Sequence, residues 1–163
     1  MQLLIIRHAI AVPRGTPDIP DDDRPLTKRG RQRFRSAARG MARLVKRPDF
    51  LLSSPLPRAR QTADIAAREW GKNVEVIEEQ AIAGGSPEAI SGVLARYPGE
   101  SRVAVVGHEP DLSELLAKIL GTKNDERLTF KKGGAALVEL PGSALDGGSL
   151  IWYLPPRALR QVR

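Results

Sequence analysis

The apolar positions along this chain fall into two alternating patterns. Leu3-Leu4-Ile5-Ile6, Phe50-Leu51-Leu52 and Val103-Ala104-Val105-Val106 are short unbroken runs. Their length and composition suit strands buried on both faces of a parallel sheet. Between them, apolar residues recur every three or four positions: Phe34, Ala37, Ala38, Met41 and Val45, then Ala59, Ala63, Ala66 and Trp70, then Leu112, Leu115, Leu116 and Ile119. That spacing predicts helices with one buried stripe each. Thr27 is placed to cap the first helix, and Pro48 stops it. Pro55 and Pro57 suit a strand-to-helix turn, and Gly71 follows the second helix. Ser86-Pro87 opens a further helix that Pro98-Gly99 closes, while Pro110 and Gly121 bracket the last.

A third strand is expected over residues 73–77. Two more are expected near Ala135–Leu140 and Ser149–Leu154, joined through Pro141-Gly142 and Gly147-Gly148 as a hairpin. The tail Pro155–Arg163 is rich in arginine and reads as peripheral. Strand and helix alternate, which predicts an α/β fold: a three-layer α/β/α sandwich around a mostly parallel sheet of about six strands. The chain has 163 residues. With no internal repeat and no linker, residues 1–163 are expected to form a single domain.

Composition narrows the chemistry. There is no cysteine, which excludes disulfides and thiolate metal sites. No apolar run approaches membrane-spanning length and no cleavable leader pattern is visible, so a cytoplasmic protein without a membrane partner is expected. Lysine and arginine number 26 against 19 acidic residues, a formal charge of +7 that favours an anionic partner. Aromatic residues make up only 4%, which speaks against base stacking and hence against nucleic acid. The basic stripe Lys28, Arg31, Arg35, Arg39, Arg43 and Lys46 reads as the solvated face of the first helix. Asp21-Asp22-Asp23 lies in a Pro- and Gly-containing stretch and reads as a solvated loop; an isolated hard-cation site there is the weaker alternative.

The polar residues that follow the predicted strands carry the functional signal. Arg7-His8 ends the first, Arg58 follows the second (Asp49–Ser54), Glu78-Glu79 ends the third, and Gly107-His108-Glu109 the fourth. The chain has only two histidines, and both occupy such positions. Ligands of doubly wound sheets gather just beyond the carboxyl ends of the strands. Two arginines and two histidines meeting there make a site for a tetrahedral oxyanion, because guanidinium forks match phosphate oxygens. A neutral imidazole can attack phosphorus, and the arginines both repel a proton from it and stabilise the transferring group.

Arg7-His8-Ala9 resembles the Arg-His-Gly motif of the histidine phosphatase, or phosphoglycerate mutase-like, superfamily. The resemblance extends through Arg24-Pro25-Leu26-Thr27-Lys28-Arg29-Gly30, through Ser53-Ser54-Pro55-Leu56-Pro57-Arg58-Ala59-Arg60-Gln61-Thr62, and through Val105-Val106-Gly107-His108. The short length and the alanine at position 9 are most similar to the SixA branch of small bacterial phosphohistidine phosphatases. The resemblance implies a phosphoglycerate mutase-like fold with His8 as the phosphorylated nucleophile. Arg7, Arg58 and His108 would line the phosphate pocket, with Arg24 at its rim. Glu79 matches the proton donor of one branch and is favoured here, and Glu109 matches the position used in another. The reaction it implies needs no cofactor and no metal. The partner would be a phosphorylated protein, such as a histidine-containing phosphotransfer domain, or a small phosphate ester.

Only Gln80 to Pro98 separates the third and fourth strands, too little for a roofing domain, so an open pocket that admits a phosphorylated protein side chain is expected. Two readings compete with a phosphohistidine phosphatase. One is a small-molecule or nucleotide-derived phosphomonoesterase of the same family. The other, from a different class, is a non-catalytic phosphate- or nucleic-acid-binding module. A metal hydrolase using the histidines and carboxylates is a weaker third.

Overall fold

A computed structural model describes residues 1–71, 74–141 and 147–163. Its strands are β1 (Gln2–Arg7), β2 (Phe50–Ser53), β3 (Val76–Glu78), β4 (Arg102–Gly107), β5 (Ala135–Glu139) and β6 (Ser149–Leu154). The helices are α1 (Lys28–Leu44), α2 (Pro57–Trp70), α3 (Pro87–Leu94), α4 (Asp111–Ile119) and α5 (Pro156–Leu159). Asn73 and Gly142, expected in the third strand and the hairpin turn, lie outside the described residues.

The sheet order is β3-β2-β4-β1-β5-β6. Strands β3, β2, β4 and β1 run parallel, whereas β5 pairs antiparallel with both β1 and β6. The fold is therefore the α/β sandwich with a mostly parallel six-stranded sheet that the alternating pattern predicts. Its two faces follow from the pleat of β1. Leu4 and Ile6 join one core with Phe34, Met41 and Ala63 beneath α1 and α2. Leu3 and Ile5 join the other with Ile90, Leu112 and Leu116 beneath α3 and α4. Burying each Leu or Ile side chain contributes about 1.5–3 kcal/mol, which is why an uninterrupted apolar strand occupies the centre.

The local start signals act as the residue types require. Thr27 Oγ1 accepts from the Gly30 amide at 2.9 Å, and Ser86 Oγ from the Ala89 amide at 3.3 Å. Helix α1 closes at Val45, whose extended backbone ends it ahead of Pro48.

The tail departs from expectation. It is not peripheral: residues 156–159 form α5, with Leu159 fully buried against α1. Gly40 makes this possible, because a Cβ there would lie 1.9 Å from the Leu159 carbonyl oxygen. A lone leucine among arginines gives no periodic signal, so the pattern along the chain did not reveal the helix.

Candidate active site

The register of the sheet brings the two histidines together. Arg7 on β1 pairs with Gly107 on β4, and each strand ends one residue before a histidine. The His8 amide continues the ladder by donating to the Gly107 carbonyl at 3.0 Å. The two imidazole rings lie 5.1 Å apart. Strand β2 is the other neighbour of β4, and the Ser54 amide donates to the Val106 carbonyl at 3.0 Å. Ser54 Oγ then sits 2.8 Å from His108 Nε2.

Arg58 enters from the first turn of α2. Thr62, one turn later, donates through Oγ1 to the Arg58 carbonyl at 2.7 Å and accepts from the Ala9 amide at 3.0 Å. One hydroxyl thus locks the segment carrying His8 to the helix carrying Arg58. Gln61 Oε1 accepts from the Leu26 amide at 2.9 Å and ties in the loop that carries Arg24.

A cavity of about 340 Å³ opens at this edge, lined by Arg7, His8, Arg24, Arg58, His108 and Glu109, with Pro13, Arg14 and Lys132 at its margin. Arg7, His8, Arg24, Arg58 and His108 are thus brought together. Glu79 is not among the lining residues; its carboxylate pairs instead with Arg96. Of the two carboxylates weighed as proton donors, the lining contains Glu109.

Ring chemistry follows from the contacts. His8 Nδ1 lies 2.7 Å from the Ala9 carbonyl, which can only accept, so Nδ1 carries the hydrogen. Burial lowers the His8 pKa to about 3, with His108, Arg58 and Arg7 adding repulsion and the Ala9 carbonyl opposing. The ring is neutral, and Nε2 holds a free lone pair. His108 is lowered to about 4, first by burial and then by Arg58, Arg7 and Arg24. Burial raises the Glu109 pKa, while hydrogen bonds from Ser113 and the Phe130 amide and the charge of Arg7 restrain the rise. Among the described residues, Arg7 Nε, Arg58 Nε and His108 Nδ1 are buried without a hydrogen-bond partner. Buried polar atoms of this kind are costly unless a ligand satisfies them, and guanidinium groups suit an oxyanion.

These features meet a sequence match. The histidine phosphatase superfamily (branch 1) matches residues 3–86. An uncharacterized protein of Picosynechococcus is 38% identical over 138 residues, 82% of each chain. The chain belongs to the histidine phosphatase superfamily. Among solved structures, this histidine phosphatase is similar to the protein histidine phosphatase SixA complexed with tungstate. That match has a TM-score of 0.83 and 26% identity, and covers 98% of this chain and 99% of the other. A structure assigned as phosphohistidine phosphatase SixA from Agrobacterium tumefaciens matches with a TM-score of 0.79 and 25% identity over 95% and 98% of the two chains. A mycobacterial glucosyl-3-phosphoglycerate phosphatase shares the fold, with a TM-score of 0.72 and 17% identity over 94% and 98%.

Two further residues stand at or beside this cavity that the pattern along the chain does not single out. Asp21, read as part of a solvated loop, is a hub: its carboxylate pairs with Arg24 at 2.9 Å and Arg14 at 3.1 Å, and its carbonyl accepts from Arg58 at 2.9 Å. Lys132 lies just before β5. Because β5 is antiparallel, its amino end meets the carboxyl ends of the parallel strands. The signal for Lys132 was therefore strand direction, which the chain pattern alone does not carry.

Proposed function

We propose that this phosphatase removes the phosphoryl group from a phosphohistidine on another protein, through a phosphohistidine intermediate on His8. The observation that carries the reading is the unprotonated Nε2 of His8 in a cavity lined by Arg7, Arg58 and His108, each of which keeps one buried nitrogen (Arg7 Nε, Arg58 Nε, His108 Nδ1) without a partner, and to which no residue between β3 and β4 contributes. The SixA structures named above support the same substrate class.

In the first step Nε2 attacks phosphorus in line and the substrate P–N bond breaks. The departing imidazole leaves neutral when its distal nitrogen is already protonated. Arg7 and Arg58 hold the equatorial oxygens, and His108 adds a donor. Water then cleaves the His8 P–N bond and releases phosphate. Glu109 is better placed than Glu79 to give or take a proton at the cavity, but a protonated leaving imidazole lessens the need for either.

The test is intact-protein mass after brief incubation with phosphoramidate or a phosphohistidine protein, quenched without acid. Wild type should gain one phosphoryl group transiently, and His8→Ala should gain none. His8→Ala should also lose turnover on the order of 10³-fold or more. Efficient turnover of sugar phosphates with none on phosphohistidine protein would replace this reading with that of a small-ester phosphatase.

A further inference from the structure

A second cavity of about 230 Å³ adjoins the first. They share Lys132, and Ala9 in its wall follows His8 directly in the chain. Its apolar lining comes from Ile10, Phe34 and the prolines that begin α5. Its charged lining is Arg33 from α1, Lys131 and Lys132 from the segment before β5, and Arg157 and Arg160 from the tail. No acidic residue lines it among the described residues. Among the described residues, none of these cations has a carboxylate within ion-pair distance. The volume suits one or two side chains, below the roughly 300–1,000 Å³ of a small-molecule site.

We infer that this groove seats the protein substrate itself. An acidic segment beside the phosphorylated residue would place one apolar side chain against Ile10, Pro155 and Pro156 and its carboxylates on the arginine rim. The inference rests on the phosphoprotein reading above and deepens it. Cations without a carboxylate partner, converging from three separate elements, favour an anionic occupant. The apolar floor requires that occupant to carry hydrophobic surface as well, which inorganic phosphate lacks. Because the groove lies beside the His8 cavity, sharing Lys132, the occupant can belong to the molecule that delivers the phosphoryl group. The docked tail has a role here, since α5 supplies part of both floor and rim.

Two peptides test the groove. Both carry a hydrolysis-resistant phosphotriazolylalanine, one flanked by glutamates and a leucine, the other by serines and glycines. In fluorescence anisotropy, wild type should bind the acidic peptide about tenfold more tightly, as expected for a few exposed ion pairs acting together. The double variant Arg33→Glu/Arg157→Glu should lose that preference. Arg160→Glu should weaken it independently, from a different position on the rim. Phosphoramidate turnover should remain at the wild-type level in both, which reports folding and an intact His8 cavity. Equal binding of the two peptides by wild type, or tighter binding of a single-stranded oligonucleotide than of the acidic peptide, overturns the inference. Hydrolysis of the matching phosphohistidine peptides is read separately. The phosphohistidine reaction can therefore fail while the binding preference stands, and the reverse.

Discussion

His8 owes its neutral, Nδ1-protonated form to one carbonyl and to burial. The Ala9 carbonyl holds the hydrogen on Nδ1, and burial, reinforced by the charges of Arg58 and Arg7, keeps the second nitrogen bare. With the His8 and His108 pKa values at about 3 and about 4, neither ring should titrate near the ordinary value of 6.5. Imidazole NMR signals of both should stay unchanged from about pH 8 down to about pH 5.5. The same shifts set a stability trend. The unfolded chain binds protons at these histidines below 6.5 while the folded chain does not, so this contribution is fully present above 6.5. It is lost progressively as pH falls through that value toward about 4 and about 3. Urea midpoints should accordingly drop between about pH 7 and about pH 5, and the drop should shrink in His108→Gln. The proton donor is also a residue-scale question. Glu79→Gln should change turnover on any phosphate substrate by about twofold at most, whereas Glu109→Gln should cost about 10²-fold on an alkyl phosphate and far less on phosphohistidine.

Elements place these residues through a small number of contacts that span long stretches of chain. Thr62 joins the segment after β1 to α2 with one hydroxyl, so Thr62→Val leaves the Ala9 amide buried and unpaired while keeping the side-chain shape. Its effect should appear as a raised KM and a lowered kcat for phosphoramidate, about tenfold together, with Thr62→Ser recovering most of the loss. The contact of α1 with α5 depends on a missing side chain. Gly40→Ala should destabilise by about 1–3 kcal/mol, seen as a lower Tm, because the intruding Cβ meets backbone that cannot swing aside. Helix identity was legible at this scale, since apolar spacing and Ser or Thr caps are local. The docked tail was not, because its evidence is the absence of a Cβ more than a hundred positions away.

For the whole molecule, charge and shape act together. A net charge of +7 and an uncovered basic margin should steer acidic phosphoproteins toward His8. Raising salt from about 50 mM to about 500 mM should lower kcat/KM on an acidic phosphohistidine protein roughly tenfold. A small phosphodonor that touches only the inner cavity should lose much less. Two curves that fall together would show that steering does not depend on the size of the partner.

The order of elements from β1 to β6, the parallel core and the positions of Arg7, His8, Arg58 and His108 beyond strand ends were determined by sequence alone. Apolar runs and their polar endings are short-range patterns, and a parallel sheet has one edge on which such endings collect. Tertiary structure decided which carboxylate lines the cavity, drew Glu79 to Arg96, made Asp21 a hub for three arginines and brought Lys132 to the margin. Each of those outcomes depends on strand direction or on loop packing between segments distant in the chain. Neither leaves a periodic trace along it.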